Sequence, residues 1–574
     1  MNVFENYLEK IKKITLKNYK KLNVNDGNIF KGTAVEVPPS DFDFDLSCNI
    51  AMILAKKVKE NSRDLADKIK KILLKDSSDF EEIEVAGPGF LNIKLSNSAL
   101  KNIIEDINKN KNLYGSSKKN KKYNIEFVSA NPTGPMHIGH CRGAIFGDVL
   151  SNLLQFNGNN VAKEYYINDC GSQIKNFTLS VFLRLREIKN KEKFQNKKNL
   201  YPGKYIVDIA KKVLEEMPDI NLKDFEKIYD LLKIKSLKHS MDLIKSDLKN
   251  LGIKHDNFFS ESELVKKDSV NETIKILKKN NFIEEGFLKP PKGEESKNWK
   301  KTKRLIFKST LFGDDSDRSL QKDDGSWTYF ANDLAYHADK VSRNYDYLIN
   351  ILGADHTGYT KRITAVVAAL SNNKVTLNCK VCQLVKLYKK GKPFKMSKRS
   401  GDFISVNELL NEVDKDSIRF MMLSRSNDVE LDFDFDKVLE KTKDNPVFYV
   451  QYCYARINSL FRMLHLDLNS KIELEKEKFK LNSFENKILR KIFDWTKVVD
   501  SASTKYEPHR IVFYLYDLAT LFHSYWSKGN ENEKYKFIID GKMNNKNTFV
   551  IIKLVALVVE NGMKILGVSL PKKM

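Results

Sequence analysis

Cysteine is scarce in this chain. Six in 574 residues, Cys48, Cys141, Cys170, Cys379, Cys382 and Cys453, are scattered without the dense spacing of a disulfide framework, which excludes a disulfide-stapled fold and implies reduced thiols. Cys379 and Cys382 form a CxxC pair, but no second Cys or His pair lies near in sequence to complete four zinc ligands. The pair reads as the edge of a strand, and no metal site is expected. Long apolar runs are lacking too. No stretch of about 18 apolar residues is present to cross a bilayer. The segment MNVFENYLEKIKKI has neither the apolar core nor the cleavage site of a secretory signal, and with Glu5, Glu9 and no arginine it does not resemble an organellar address. A cytoplasmic protein with no membrane partner is expected. No internal repeat is visible, which excludes a solenoid.

Lysine is plentiful. Lys and Arg number 99 against 75 Asp and Glu, a formal charge of +24, which suggests a polyanionic partner such as nucleic acid. The same excess, with many Asn and Ile, also fits a biased genome composition. At this length one core does not suffice, and two to four domains are expected.

The organisation follows from period and punctuation. MNVFENYLEKIKKITLKNYKKL and CNIAMILAKKVKENSRDLADKIKKILL carry helical spacing, and FEEIEVAGPGFLNIKLS alternates around a Gly-Pro-Gly turn like a hairpin, so residues 1–110 read as a small α+β domain. The polar, lysine-rich segment 108–122 reads as a linker. Beyond it YNIEFVSA is a strand, IGHCRGAIFGDVLSNLLQF a helix with apolar positions 138, 141, 145, 149 and 153, and NVAKEYYIND a strand. Strand, helix, strand over this length is a βαβ unit, which calls for a parallel sheet. DYLINILGA, a helix around RITAVVAAL, and VCQLVKLY continue that pattern to residue 430. LREIKNKEKFQNKKNLYPG and EGFLKPPKGEESKNWKKTKR read as solvated surface loops. From 431 to 574 helical spacing dominates, predicting a helical bundle.

Ligands of parallel α/β sheets sit beyond the carboxyl ends of the strands, where helix N-termini point. SANPTGPMHIGH occupies such a turn. The helix N-terminus offers backbone N–H groups to phosphate, Gly134 and Gly139 allow ligand atoms close to the backbone, and Pro132 and Pro135 stiffen the entry. His137 and His140, three apart, fall on neighbouring positions of one helical face and could donate ring N–H groups to phosphate oxygens. Helix capping, packing or a metal remains open for these histidines. Far along the chain, KPFKMSKRSGDFIS packs Lys392, Lys395, Lys398 and Arg399 around Ser397. Burying unpaired cations is costly, so this loop is a solvated surface or a polyphosphate clamp. In TYFANDLAYH, Tyr329, Asp333 and His337 recur every four residues along one helical face, which could offer a phenol and a carboxylate to a cation or could simply be solvated.

Together HIGH at 137–140 and KMSKR at 395–399 match both signatures of class I aminoacyl-tRNA synthetases in order and separation. EFVSANPTGPMHIGHCRGAIFGD, EYYINDCGSQI, GSWTYFANDLAYHADK, NILGADHTGYTKR, NPVFYVQYCYARI and LGVSLPKKM resemble the arginyl-tRNA synthetases of the bacterial type along nearly the whole chain. The resemblance implies an α/β, Rossmann-like parallel-sheet catalytic domain over 115–430, a small N-terminal α+β add-on domain that binds tRNA over 1–110, and an all-α anticodon-binding bundle over 431–574. It implies ATP-dependent attachment of L-arginine to tRNA(Arg) through arginyl-adenylate, with Mg²⁺ carried on ATP, bound tRNA required for the first step, and a monomer.

By the same resemblance His137, His140, Lys395 and Lys398 are the catalytic residues. Pro135, Gly139, Met396 and Ser397 join them around ATP, with Asp355 and His356 near the nucleoside. Ser129, Asn131, Tyr329, Asp333 and Gln173 take arginine, although Gln173 is equally open to a structural role. Tyr449, Tyr452, Tyr454 and Arg456 could contact RNA or fill the bundle core, with Tyr452 and Arg456 as the candidates for tRNA. Many members of the family lack the final lysine of the second signature; this sequence keeps the full KMSKR. The alternatives are a class I synthetase for another amino acid, and a catalytically idle relative that only binds tRNA.

Overall fold

The computed structural model describes residues 2–18, 29–39, 42–287, 302–394, 404–475 and 479–574. The chain divides into two compact units, one of residues 119–440 and one of residues 1–118 with 441–574.

The first unit is built on five parallel strands: β1 (Lys122–Glu126), β2 (Asn160–Ile167), β3 (Asn257–Ser260), β4 (Tyr347–Gly353) and β5 (Thr376–Cys382). Their order in the sheet is β5-β4-β1-β2-β3, so the chain runs outward from β1 on one side and then returns to build on its other side. The reversal between β1 and β4 opens a crevice at their carboxyl ends, where open α/β sheets bind ligands. Cys379 and Cys382 both lie on the edge strand β5. Three residues apart on a strand, they point to opposite faces.

The helix Ile138–Phe156 crosses from β1 to β2 and buries all five apolar positions named from its period. Its placement depends on Gly147. A Cβ there would stand 2.3 Å from Cγ and 2.5 Å from Cβ of Phe127, a fully buried residue just past β1. Gly143 on the same helix has room, its nearest neighbour being Ile351 Cγ2 at 4.0 Å. Overpacking costs about 1–3 kcal/mol and the better helix propensity of alanine returns about 1 kcal/mol. Gly147→Ala is therefore expected to lower the midpoint of thermal unfolding, whereas Gly143→Ala leaves it unchanged or raises it; scanning calorimetry of the two variants checks the pair.

Buried ion pairs tie the crossover helix to distant chain. Asp148 accepts from Lys163 at 2.7 Å and from Arg419 at 2.5 Å, and these charges hold its carboxyl below the usual range against the effect of burial. The guanidinium of Arg142 donates to the carbonyls of Gln383, Ser426 and Val429. Between β2 and β3 an arm of helices Ser172–Asn190, Lys204–Glu216 and Phe225–Asn250 packs around its own apolar core. Residues 431–434, placed by the sequence reading in the helical tail, form a strand instead, parallel to Val385–Lys389. Leu431 and Phe433 alternate inward with Asp432 outward, the period of a sheet, and four residues are too few to separate that period from a helical one.

In the second unit the hairpin Phe80–Ala86 and Phe90–Leu95 forms at the Gly-Pro-Gly turn and is extended by Leu46–Cys48 and Val35–Glu36 into an antiparallel sheet. Helices Pro446–Met463, Ser483–Lys505, His509–Glu531 and Lys546–Leu566 make the bundle. The segment 108–122 is only partly a linker. Tyr114 is fully buried, its hydroxyl donates to the Ile492 carbonyl at 2.9 Å, and Trp495 Nε1 donates to the Tyr114 carbonyl at 2.9 Å. One aromatic in a polar run was enough to anchor it, and composition averages hide such a residue. Among the described residues no helix is long and apolar enough to cross a membrane.

Candidate active site

The turn after β1 is built under strain. Val128 and Ser129 both have positive φ, +71° and +40°, and Ser129 N–H donates to the Phe127 carbonyl at 3.1 Å, closing a three-residue turn that is costly for a β-branched residue. The Ser129 hydroxyl is fixed between Glu126, to which it donates at 3.0 Å, and the Tyr166 N–H, from which it accepts at 3.0 Å. Two residues on, Asn131 donates to Gln173 across 2.8 Å, so two of the expected arginine residues form one hydrogen-bonded pair.

His137 is the N-cap of the crossover helix, and its Nδ1 accepts from Gly139 N–H at 3.1 Å. His140 Nδ1 accepts in turn from His137 N–H at 3.2 Å, and the rings stack at 3.8 Å. Burial, with His137 alongside, pushes the His140 imidazole down to about 3. A neutral ring whose Nδ1 accepts must carry its proton on Nε2. Both histidines therefore present Nε2–H as donors while capping the helix with their other nitrogens.

This alters two expectations. The backbone at the helix start is already used, since Ile138 N–H donates to the Ile404 carbonyl, Gly139 N–H to His137 and His140 N–H to the His137 carbonyl. Phosphate would meet imidazoles here rather than peptide groups. The room at Gly134 and Gly139 is narrower than expected, since a Cβ on Gly134 would lie 2.9 Å from the Tyr205 ring and one on Gly139 would lie 2.9 Å from the His137 ring, although Gly134 still lines the cavity and Gly139 is exposed.

Residues 395–403 lie outside the described residues, and with them Lys395, Met396, Ser397 and Lys398. The chain just beyond them is seated on the first motif. Val406 N–H donates to the Met136 carbonyl at 3.1 Å, and His137 bridges Ser405 in antiparallel fashion. Met136 N–H donates to buried Asp247 at 2.8 Å.

A second cluster lies around Asp333, on the helix Tyr329–Ser342. The half-buried Asp333 carboxylate accepts from the Tyr359 hydroxyl. Burial, joined by the charges of Glu126 and Glu261, raises its carboxyl to about 7 despite that hydroxyl. Glu126 is paired with buried Lys340 at 2.5 Å. Glu261 is buried, accepts from Asn332 at 2.9 Å through one oxygen, and has no hydrogen bond to the other among the described residues. Burial raises its carboxyl as well. Neither Asp333 nor Glu261 has an ion-pair partner among the described residues. Two neighbouring carboxylates short of a cation are unstable alone and would be satisfied by a planar group with several N–H donors.

The catalytic-domain model of class I tRNA synthetases (R) matches residues 103–460, the arginyl tRNA synthetase N-terminal domain matches 6–95, and the DALR anticodon binding domain matches 450–574. An arginine–tRNA ligase of Pelagibacter ubique is 51% identical over 582 residues, and one of Bartonella bacilliformis is 43% identical, each with the whole of both chains covered. The chain belongs to the arginyl-tRNA synthetases. The solved structure of the Thermus thermophilus arginyl-tRNA synthetase matches with a TM-score of 0.70 over the full length of both chains at 17% identity, a likeness of fold.

Tyr329 opens its helix and is 74% exposed, while His337, on the same face by spacing, is buried with Nδ1 2.8 Å from the Asp333 carbonyl and Nε2 3.0 Å from Asn350. Equal spacing does not give equal depth. Asp355 and His356 are exposed on a 3₁₀ turn at the carboxyl end of β4. Pro135 lines the cavity beside His137 and His140. Tyr454 is bundle core, but the Arg456 guanidinium lies 4.2 Å over the half-buried Tyr452 and 4.8 Å over Trp526. Glu261, Tyr359, Asp247 and Trp526, which stand beside expected positions, were not singled out from sequence. In sequence, Glu261 is an ordinary acid in the first turn of a helix, and only its burial sets it apart.

Proposed function

We propose that this chain attaches L-arginine to tRNA(Arg) in two steps. The arginine carboxylate attacks the α-phosphate of ATP in line, forming arginyl-adenylate and pyrophosphate, and the terminal adenosine hydroxyl of the tRNA then takes the arginyl group and releases AMP. Asp333, with Glu261 beside it, meets the guanidinium, and Tyr329 flanks it. Ser129 and the Asn131–Gln173 pair hold the amino acid backbone next to the imidazoles. His137 and His140 donate from Nε2 to phosphate oxygens, Pro135 and Gly139 shape the turn, and Lys395, Met396, Ser397 and Lys398 serve the phosphates from the second signature. Asp355 and His356 border the nucleoside.

Such chemistry rests on alignment and charge neutralisation rather than a covalent nucleophile. Mg²⁺ accompanies ATP on its phosphates; the N–H donors of the histidine pair suit oxygen anions and not a cation. The domain of residues 1–110 and the bundle of 431–574 bind tRNA, with Tyr452 and Arg456 offered to unstacked anticodon bases. The enzyme is cytoplasmic and monomeric in this reading.

The observation that carries it is the pair of unneutralised carboxylates, Asp333 and Glu261, at the ligand end of the sheet. Pyrophosphate exchange with each of the twenty amino acids, with and without total tRNA, tests it. Exchange with arginine alone, dependent on tRNA, is expected. Exchange with another amino acid overturns the substrate, and no exchange with any supports the idle relative.

Proton release provides a second check. In the free enzyme Asp333, at about 7, is roughly half protonated at neutral pH. A guanidinium favours the carboxylate, so arginine binding expels the proton, and affinity falls by up to about tenfold per pH unit below that value. The folding linkage has the opposite sense, because a raised carboxyl binds its proton in the native state and its contribution to stability is lost as pH rises through about 7. Calorimetric titration of arginine in buffers of different ionisation enthalpy is expected to give close to half a proton released at pH 7, and none with Asp333→Asn.

A further inference from the structure

The cavity beside His137 and His140 has a volume of about 710 Å³ and is also lined by Asn196–Gly203, which read in sequence as part of a solvated loop, and by Tyr205 of the following helix. That wall is held in place. Leu200 N–H donates to the Lys197 carbonyl at 3.1 Å with Asn199 at φ +74°, the pattern of a type II turn whose third residue favours asparagine or glycine. Tyr201 N–H donates to Ser180 Oγ at 3.0 Å, and Arg184 donates to the Pro202 carbonyl at 3.0 Å while its guanidinium lies 3.7 Å over the Phe194 ring. Tyr205 closes the seam against Gly134. Fixing so many residues costs conformational entropy that a purely solvated loop has no reason to bear.

Among the described residues the lining carries no acid. Among the described residues around this cavity, the only side chains of fixed charge are Lys197 and Lys198, at the start of the turn. Both are exposed, and neither has an ion-pair partner among the described residues. A concave site with charge of one sign focuses its field on a counter-ion.

We propose that Lys197 and Lys198 form a second phosphate-binding wall of the active site, facing the imidazole donors of His137 and His140 across the cavity. The ligand chemistry is a phosphate ester, supplied either by the triphosphate of ATP or by the phosphodiesters at the 3′ end of the tRNA. The assignment rests on the ligase reading given above. The lysines bind and position; they take no part in proton transfer.

The test uses the full-length enzyme with Lys197→Ala/Lys198→Ala and, as a charge-preserving partner, Lys197→Arg/Lys198→Arg. If the wall holds ATP, the alanine variant raises the dissociation constant of ATP, measured at equilibrium without tRNA, by about five- to twenty-fold. If it holds the tRNA end, ATP binding is unchanged while the KM for tRNA rises by a similar factor. In that case the slope of log affinity against log salt becomes shallower by about 0.7 per phosphate lost, and tRNA trimmed of its terminal CCA binds wild type and variant alike. In either case the arginine variant recovers most of the loss. ATP affinity, tRNA affinity and salt slope all within twofold of wild type would overturn the proposal. That result differs from failure of the ligase reading itself, in which the wild-type enzyme gives no arginine-dependent exchange.

Discussion

Replacing Asp333 by asparagine is expected to raise the KM for arginine by roughly 10²–10³-fold, about 3–4 kcal/mol at 1.4 kcal/mol per tenfold, while the KM for ATP moves by less than about threefold. The carboxylate stands half-buried with Tyr359 as its hydroxyl donor, among Glu126 and Glu261. A guanidinium placed there gains a charge-assisted pair in a site where water screens poorly. Asparagine keeps the shape, loses the charge and turns an amide donor toward a ligand that only donates. The fold does not suffer in the same way. Because the like charges and burial disfavour ionised Asp333, removing that charge is expected to leave thermal stability at pH 8 unchanged or improved. Loss of arginine affinity without loss of stability marks a binding residue; steady-state kinetics beside calorimetry measures both. An unchanged arginine KM removes Asp333 from the pocket.

The second large effect is expected at His140. Its Nδ1 caps the helix by accepting from His137 N–H at 3.2 Å, so only Nε2–H is available to a phosphate oxygen that gains charge in the transition state. With the imidazole pushed down to about 3, the ring is neutral at physiological pH and serves as a hydrogen-bond donor rather than an acid. Removing one such preorganised donor costs about 10²–10³ in kcat. Asparagine places its carboxamide oxygen close to Nδ1 and nothing at Nε2, so His140→Asn keeps the cap and loses the donor. Glutamine reaches the position of Nε2 but abandons the cap, worth about 1 kcal/mol. His140→Asn is expected to melt like wild type with kcat for aminoacylation reduced by two to three orders of magnitude, and His140→Gln to melt lower while recovering part of the rate. A wild-type kcat in His140→Asn would reassign His140 to capping alone.

Much of the fold follows from local pattern. The alternating and helical periods around 122–167, 347–371 and 80–95 locate strands and helices close to their observed ends, because backbone preference and the facing of side chains depend on neighbours within a few residues. The two signatures were legible for a related reason, being short and of unusual composition. The readings that failed depended on residues far away. The polar run 108–122 conceals Tyr114, whose partners Ile492 and Trp495 lie almost 400 residues on. The strand 431–434 needs Val385–Lys389 beside it to exist at all. The glycines of the first signature suggested open room, and part of it, where their Cβ atoms would be, is taken by Tyr205 and His137.

The class of fold, the family and the order of the two signatures were legible in residue identity and local spacing, and the candidate histidines and aspartate were picked out from the same features. What needed the folded chain is that the histidines cap their own helix through Nδ1, that Ile404 and Val406 bond to the chain around His137, that Glu261 stands buried near Asp333 with no ion-pair partner among the described residues, and that Lys197 and Lys198 line the cavity beside His137 and His140. Each of these depends on burial and on partners brought from elsewhere in the chain. Desolvation and charge pairing are properties of a three-dimensional neighbourhood, and no window along the sequence contains it.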